Sequence, residues 1–327
     1  MLRAFADSTQ DYAVQVIDKL EFLLALASER HFRKAAEACG VTQPTLSSGI
    51  QNLEEMLGVR LVDRGSRFQG FTPEGERVLE WARRIVADSR AMRQDVSALK
   101  KGLSGQLRIA AIPTALPMVA ALTTPFRQRH PDVSFNIISR TSVSILTLLE
   151  NLEVDIGITY VENEPVGRMR TLPLYREEYQ LLTSVDGPYG SARMVTWEQA
   201  GKLPLCLMSP DMQNRRIIDK TLESVGAKPE ASLESDSVTA LVAHVRTGNW
   251  STVMPKKFAD MFDLPESVRS IPLVEPELVH MIGLVVVDRN PLKPLTAALW
   301  SEAQRLAPVL ALTSSVSSLE RHQPTAL

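Results

Sequence analysis

The chain is short of the features that usually announce a function, and each shortage removes a class of protein. Only two cysteines occur in 327 residues. Cys39 and Cys206 lie far apart with no CxxC or metal spacing, which argues against a disulfide framework and fits a reducing cytoplasm. Five histidines, His31, His130, His244, His280 and His322, are scattered without a nucleophile or ligand partner at a suggestive interval. GxSxG, P-loop and GxGxxG elements are missing, so no catalytic residue, metal or cofactor is expected. The longest apolar run, near residues 281–287, falls well below the roughly 20 residues that cross a bilayer, and no membrane partner is expected. The first fourteen residues carry Asp7 and Asp11 and lack an apolar core, so they read as a loose or partly helical extension rather than a signal peptide. Positive charge is also scarce. The formal charge is −2, and residues 1–101 hold 15 Lys/Arg against 14 Asp/Glu. Charge alone would not suggest nucleic acid.

Pattern does. Residues 17–28 have helical apolar spacing, and residues 32–39 form a short alanine-rich helix that Gly40 ends. Thr42 is a candidate N-cap, and Pro44 falls in the first turn of a third helix, where a missing N–H costs nothing. That helix runs to about Leu57 and is expected to bury Leu46, Ile50, Leu53, Met56 and Leu57. Its polar start, Gln43, Thr45, Ser47, Ser48 and Gln51, faces outward. Short polar groups opening a helix suit base-edge contact in the major groove, although each alone reads equally as a cap or a solvated face. Residues 59–72 then read as a hairpin with Arg64 and Arg67 at its tip, a wing over the phosphates.

The segment FRKAAEACGVTQPTLSSGIQNLEEMLGVRLVDRGSRFQGFTPEGERVL resembles the DNA-binding segment of LysR-type transcriptional regulators. The shared marks are the alanine-rich second helix, the Thr42-Gln43-Pro44 opening, a Leu-Glu-x-x-Leu-Gly ending and the Thr72-Pro73-Glu74-x-Gly start of the next helix. The position after Ser47, often Arg in the family, is Ser48 here, so base reading leans on Gln43, Thr45 and Gln51. Arg33, Lys34, Arg64 and Arg67 would hold phosphates.

From Pro73 to Lys101 a long helix carries Val78, Ala82, Ile85, Ser89, Met92, Val96 and Leu99 at alternating spacings of four and three. This heptad stripe is expected to pair with a second subunit, giving a dimer or a dimer of dimers with two recognition helices one DNA turn apart. In the resembled family this helix is the dimer linker. A joint at residues 102–105 follows, and then strands and helices alternate. That pattern implies a largely parallel α/β sheet in two lobes over residues 106–308, resembling the family's effector domain and periplasmic solute-binding proteins. The expected division is therefore an extension at 1–16, a winged helix-turn-helix at 17–72, the linker helix at 73–101, the joint, the effector domain, and a disordered tail at 309–327.

Ligands in such sheets sit at strand ends and helix N-termini. Those positions give Thr114, Arg140, Thr141, Ser142, Thr159 and Ser209 as effector candidates, and a small polar or anionic effector. The resemblance implies a non-enzymatic regulator with double-stranded operator DNA, a small molecule, a second subunit and RNA polymerase as partners. The stretches IPTALPMVAALTTPFRQRHP and PDMQNRRIID resemble regulators associated with formate dehydrogenase operons. Two rivals stay open: a solute-binding protein, which leaves residues 17–101 unexplained, and a redox-sensing regulator, which would need an accessible thiol in a basic setting.

Overall fold

The computed structural model describes residues 2–64, 68–162, 169–228, 230–261 and 264–312. The chain divides into two compact units, Met1–Lys100 and Lys101–Leu327.

In the first unit α1 (Leu2–Glu29), α2 (Phe32–Ala38) and α3 (Gln43–Leu57) precede a hairpin of β1 (Val62–Arg64) and β2 (Phe68–Phe71), and α4 (Pro73–Lys101) follows. Because α1 is continuous from Leu2, the extension expected to be loose or partly helical is helix. The core joins Leu20, Leu23 and Leu26 of α1 to Ala35 and Ala36 of α2, Leu46, Ile50 and Leu53 of α3, and Leu79, Ala82 and Val86 of α4. Each fully buried leucine contributes about 1.5–3 kcal/mol relative to an exposed one. Met56 and Leu57, expected inside, are exposed, because α3 leaves the core after Leu53 and ends at left-handed Gly58. Gly49 lets α3 approach α1, since a Cβ there would stand 2.6 Å from Phe22 Cδ2.

Two polar clamps fix the wing. Glu54 Oε1 accepts the N–H groups of Leu61 (2.9 Å) and Val62 (3.1 Å). Thr72 Oγ1 donates to the Arg60 carbonyl (2.7 Å) and accepts the Gly75 N–H (2.9 Å), tying the first turn of α4 to the chain entering β1.

The long helix divides its apolar residues between two tasks. Ala82 is fully buried in the core of its own unit and Val78 packs beside it, so these two expected interface positions face inward. The physical reason is register: the three-helix core takes up the early turns of α4. Trp81 beside them is exposed, as are Ile85, Met92 and Val96 further along; Ser89 is half-buried, and the Leu99 side chain lies outside the described residues. Arg84 lies over the Trp81 ring.

The second unit contains β3 (Gly105–Ala111), a 3-10 turn (Pro113–Ala115), α5 (Leu116–Arg129), β4 (Val133–Ser139), α6 (Ser142–Glu150), β5 (Ile156–Tyr160) and β6 (Met169–Ser184). Then follow β7 (Val195–Thr196), α7 (Trp197–Ala200), β8 (Leu205–Met208), α8 (Gln213–Ser224), β9 (Ala231–Ser235), α9 (Val238–Val245) and β10 (Thr252–Pro255). The described chain ends with α10 (Lys256–Met261), β11 (Val268–Val274), β12 (Val279–Val287) and α11 (Pro294–Leu312). Gly105, expected in the joint, begins β3. Residues 309–312, expected as disordered tail, extend α11, and residues 313–327 lie outside the described residues.

The expected parallel sheet is instead mixed. β3 runs parallel to β4 and β5, whereas β12 is antiparallel to both β5 and β6. The sixteen residues of β6 form one strand shared by two lobes. Its first part pairs β12, and its last part pairs β10 and β11. The near-continuous apolar strands β5 and β8 suit a sheet covered on both faces. Asp155 locks the first lobe. Burial works to raise its pKa, but hydrogen bonds and charge from Arg108 (3.0 and 3.1 Å) and Lys293 (2.9 Å) overcome this and hold it below the usual carboxylate range.

Candidate nucleic-acid interface and effector site

The polar face of α3 is built from its N-cap outward. Thr42 Oγ1 accepts the Thr45 N–H at 3.4 Å and shares a 2.8 Å hydrogen bond with Thr45 Oγ1, while Ser48 Oγ donates to the Thr45 carbonyl at 3.0 Å. Three hydroxyls of this face are therefore engaged within the helix. Thr42, Gln43, Pro44, Thr45, Ser48 and Gln51 are exposed, whereas Ser47, expected outward, is half-buried because it lies next to Leu46 at the edge of the packed stripe. Gln43 and Gln51 make no side-chain hydrogen bond to another described residue and keep their amides available. A glutamine amide matches the N6/N7 edge of adenine bidentately. Arg33 and Lys34 stand exposed at the start of α2, whose N-cap His31 accepts their backbone N–H groups through Nδ1. Arg33 also pairs with Glu37 at 3.0 Å, an exposed bridge that water and salt screen readily. Arg67 lies outside the described residues, as does the Arg64 side chain.

In the second unit a cleft of about 220 Å³ opens between the lobes. Its walls come from Ile112, Pro113 and Thr114 after β3, Thr141 and Ser142 at the start of α6, Tyr160 at the end of β5, Met208 at the end of β8, and Met212, Gln213 and Asn214 at the start of α8. Three of the six effector candidates meet here: Thr114, Thr141 and Ser142. The other three do not line it. Thr159 is fully buried within β5, Arg140 is exposed and turns its guanidinium to the Ser139 carbonyl (2.7 Å), and half-buried Ser209 sits before the turn leading to α8. Residue alternation explains Thr159, since Tyr160 one position later reaches the cleft instead.

Asn214 was missed. Placing the ligand site at the end of the β8 strand selected Ser209; the N-terminus of the helix that follows would have selected Gln213 and Asn214. Within the cleft, Thr114 Oγ1, Ser142 Oγ and both amide atoms of Asn214 are buried and have no hydrogen-bond partner among the described residues. Leaving such a group unsatisfied costs about 1–3 kcal/mol, so four on one small cavity mark a surface shaped for something other than the protein itself.

Behind the cleft lies a second polar group. Tyr160 donates through its hydroxyl to Glu177 Oε1 at 2.7 Å, and Tyr179 donates to the same atom at 3.2 Å. Glu177 is fully buried, and burial pushes its pKa up to about 7 despite the two tyrosine hydrogen bonds that oppose the rise. His280 lies directly across the strand pair from it. Alternation along Tyr175, Glu177 and Tyr179 was the available signal, because all three point inward while Arg176 and Glu178 point out.

The thiols sit elsewhere. Cys206 is fully buried in β8, where it donates to the Leu241 carbonyl, and burial pushes its pKa up to about 11. Cys39 is half-buried on α2, and burial and the nearby Glu21 both raise its pKa.

Comparison with known proteins adds two family matches. Residues 17–76 match the bacterial regulatory helix-turn-helix protein, lysR family, and residues 100–308 match the LysR substrate binding domain. A curated relative from Dickeya chrysanthemi, described as a hydrogen peroxide-inducible genes activator, is 28% identical over 278 residues, covering 85% of this chain and 91% of the relative. A full-length OxyR variant from Pseudomonas aeruginosa superposes with a TM-score of 0.70 at 24% identity, covering 90% of this chain and 95% of that one. The effector binding domain of QuiR in complex with shikimate superposes with a TM-score of 0.55 at 22% identity, over 64% of this chain and 100% of that one.

Proposed function

The chain belongs to the LysR family of DNA-binding transcriptional regulators, and from that membership we propose that a small polar or anionic effector in the cleft between the lobes modulates operator binding by α3. The observation that carries the proposal is the set of four buried, unpartnered polar atoms on the cleft wall. On the DNA side, Gln43 and Gln51 supply base-edge amides, Thr45 and Ser48 flank them, and Arg33 and Lys34 hold phosphates. The exposed apolar stripe of Trp81, Ile85, Met92 and Val96 supports assembly as a homodimer or a dimer of dimers, which would present two α3 helices to a two-fold operator. The reading places the protein in the cytoplasm with RNA polymerase as a further partner. A small carboxylate fits the cleft's size and hydroxyl lining, in keeping with the regulators associated with formate dehydrogenase operons that two of its segments resemble.

A thiol sensor of peroxide, the alternative that the Dickeya chrysanthemi relative's name raises, is poorly served here. A buried thiol with its pKa near 11 carries roughly one thiolate in ten thousand at neutral pH, and thiolate is the reactive form.

The test is footprinting and mobility shift of the full chain on the DNA upstream of its own gene. Gln43→Ala with Gln51→Ala should lower the ratio of specific to non-specific affinity by roughly ten- to a hundred-fold, with the melting temperature unchanged. Thr114→Val should leave basal DNA binding intact while abolishing its response to molecules co-purified with the wild-type protein. Unchanged selectivity in the first variant, or an intact response in the second, would count against the respective half of the proposal.

A further inference from the structure

We infer that Asn214 makes the cleft selective for a small carboxylate that carries a hydroxyl or N–H donor beside the acid, over the same carboxylate without that donor. The inference rests on reading the cleft as the effector site and follows from an atom-by-atom account of its walls.

Ten residues line the cavity, and none of them is Asp, Glu, His, Lys or Arg. Three of their polar side-chain atoms are already committed within the protein. Tyr160 gives its proton to Glu177. Thr141 caps α6, accepting the Ser144 N–H at 3.2 Å and donating to Ser144 Oγ at 3.0 Å. Gln213 Oε1 accepts from Arg216 Nε at 2.9 Å. Thr114 Oγ1, Ser142 Oγ, Asn214 Nδ2 and Asn214 Oδ1 are the buried atoms left without partners. Their residues are 3%, 0% and 4% exposed, so bulk water does not serve them.

These four atoms fix what an occupant must offer. Two hydroxyls and an amide N–H are donors suited to carboxylate oxygens. The twelve-residue helix α8 adds to them, because its N-cap Met212 has no side-chain acceptor and leaves the first-turn N–H groups open. Asn214 Oδ1 is different in kind: it can only accept. A plain carboxylate brings lone pairs alone and leaves Oδ1 desolvated and unmatched. A 2-hydroxy acid brings lone pairs for the three donors and one O–H for the acceptor, and an acid with a neutral amide at the 2-position does the same with N–H. The absence of any cation in the lining favours a single carboxylate over several. A site built around such a donor loses roughly ten- to a hundred-fold in affinity when the ligand lacks it.

The experiment is titration calorimetry of the full chain at pH 7 with two matched pairs, glycolate against acetate and lactate against propionate. The wild type should bind the hydroxy acid of each pair at least ten-fold more tightly. Asn214→Leu, similar in volume, should bring that ratio close to one, and Thr114→Val should weaken both acids of a pair while preserving it. A wild-type ratio near one overturns the inference without any variant. A ratio that survives in Asn214→Leu overturns it too, and if Thr114→Val still weakens both acids the effector site itself stands. No heat from any of the four acids overturns the inference, and the loss of the co-purified effector response in Thr114→Val then decides the cleft reading separately.

Discussion

Replacing Glu177 by glutamine should make the protein more stable above neutral pH and remove most of the pH dependence of its effector unit. In the folded chain the carboxyl titrates near pH 7, against about 4.5 for the free group, because burial disfavours its charge. The folded state therefore binds this proton more tightly than the unfolded chain, and unfolding releases it between those two values. Stability from this group is fully present below pH 4.5, falls as pH rises towards 7, and stays low above it. A shift of that width corresponds to about 3–4 kcal/mol at most, from about 1.4 kcal/mol per pH unit. Glutamine keeps an acceptor oxygen for the Tyr160 and Tyr179 hydroxyls but cannot ionise. The neighbouring groups do not cancel the effect. Burial lowers the pKa of His280 against the opposing charge of Glu162, which favours its neutral form beside Glu177; Lys257 sits over the Tyr175 ring at 4.9 Å, and Arg176 and Glu178 face outward. Thermal denaturation of wild type and Glu177→Gln from pH 5 to 8.5 is the assay. At pH 8 the variant should melt higher, by several degrees for a unit of this size, and the gap between the two curves should narrow steadily as the pH falls to 5. A variant less stable than wild type at pH 8, or a constant difference across the range, would refute the reasoning.

Two further outcomes test the first unit. At Gly75 a Cβ would stand 2.0 Å from the Leu61 carbonyl oxygen, a backbone atom that cannot turn aside, so Gly75→Ala should cost about 1–3 kcal/mol in chemical denaturation; an unchanged midpoint would show that the α4 start can move freely. Ile85→Glu with Met92→Glu places two charges on the exposed α4 stripe, where burial against a partner would cost several kcal/mol per charge. Light scattering should show monomers and operator affinity should fall at least a hundred-fold, whereas an unaltered oligomer mass would move the interface elsewhere.

Much of the first unit was legible because its signals are local. The Thr42 cap, Pro44 in the first turn, the alanines at 35 and 36 and the apolar spacing through Ile50 and Leu53 each act within a few residues. The effector cleft was legible only in part. Thr114, Thr141 and Ser142 follow from the rule for strand and helix ends, but the same rule admitted Arg140, Thr159 and Ser209, which do not line the cleft. Alternation along β5 accounts for Thr159, but which residues of the loops after β4 and β8 reach the cleft depends on packing between the two lobes, and no local pattern carries that.

The α4 helix shows the division most clearly. Its apolar period is written in the sequence, since any helix places residues 78, 82, 85 and 92 along one stripe. Which part of the stripe the protein's own core occupies was settled by tertiary packing, because Leu79, Ala82 and Val86 join the core of the first three helices while Ile85, Met92 and Val96 are left exposed. In the same way, the residue order fixed two α/β lobes and the helix-turn-helix that precedes them. Only the folded chain, by running β6 through both lobes, brought Glu177 behind Tyr160 and left Asn214 facing Thr114 and Ser142 with its hydrogen bonds unmade.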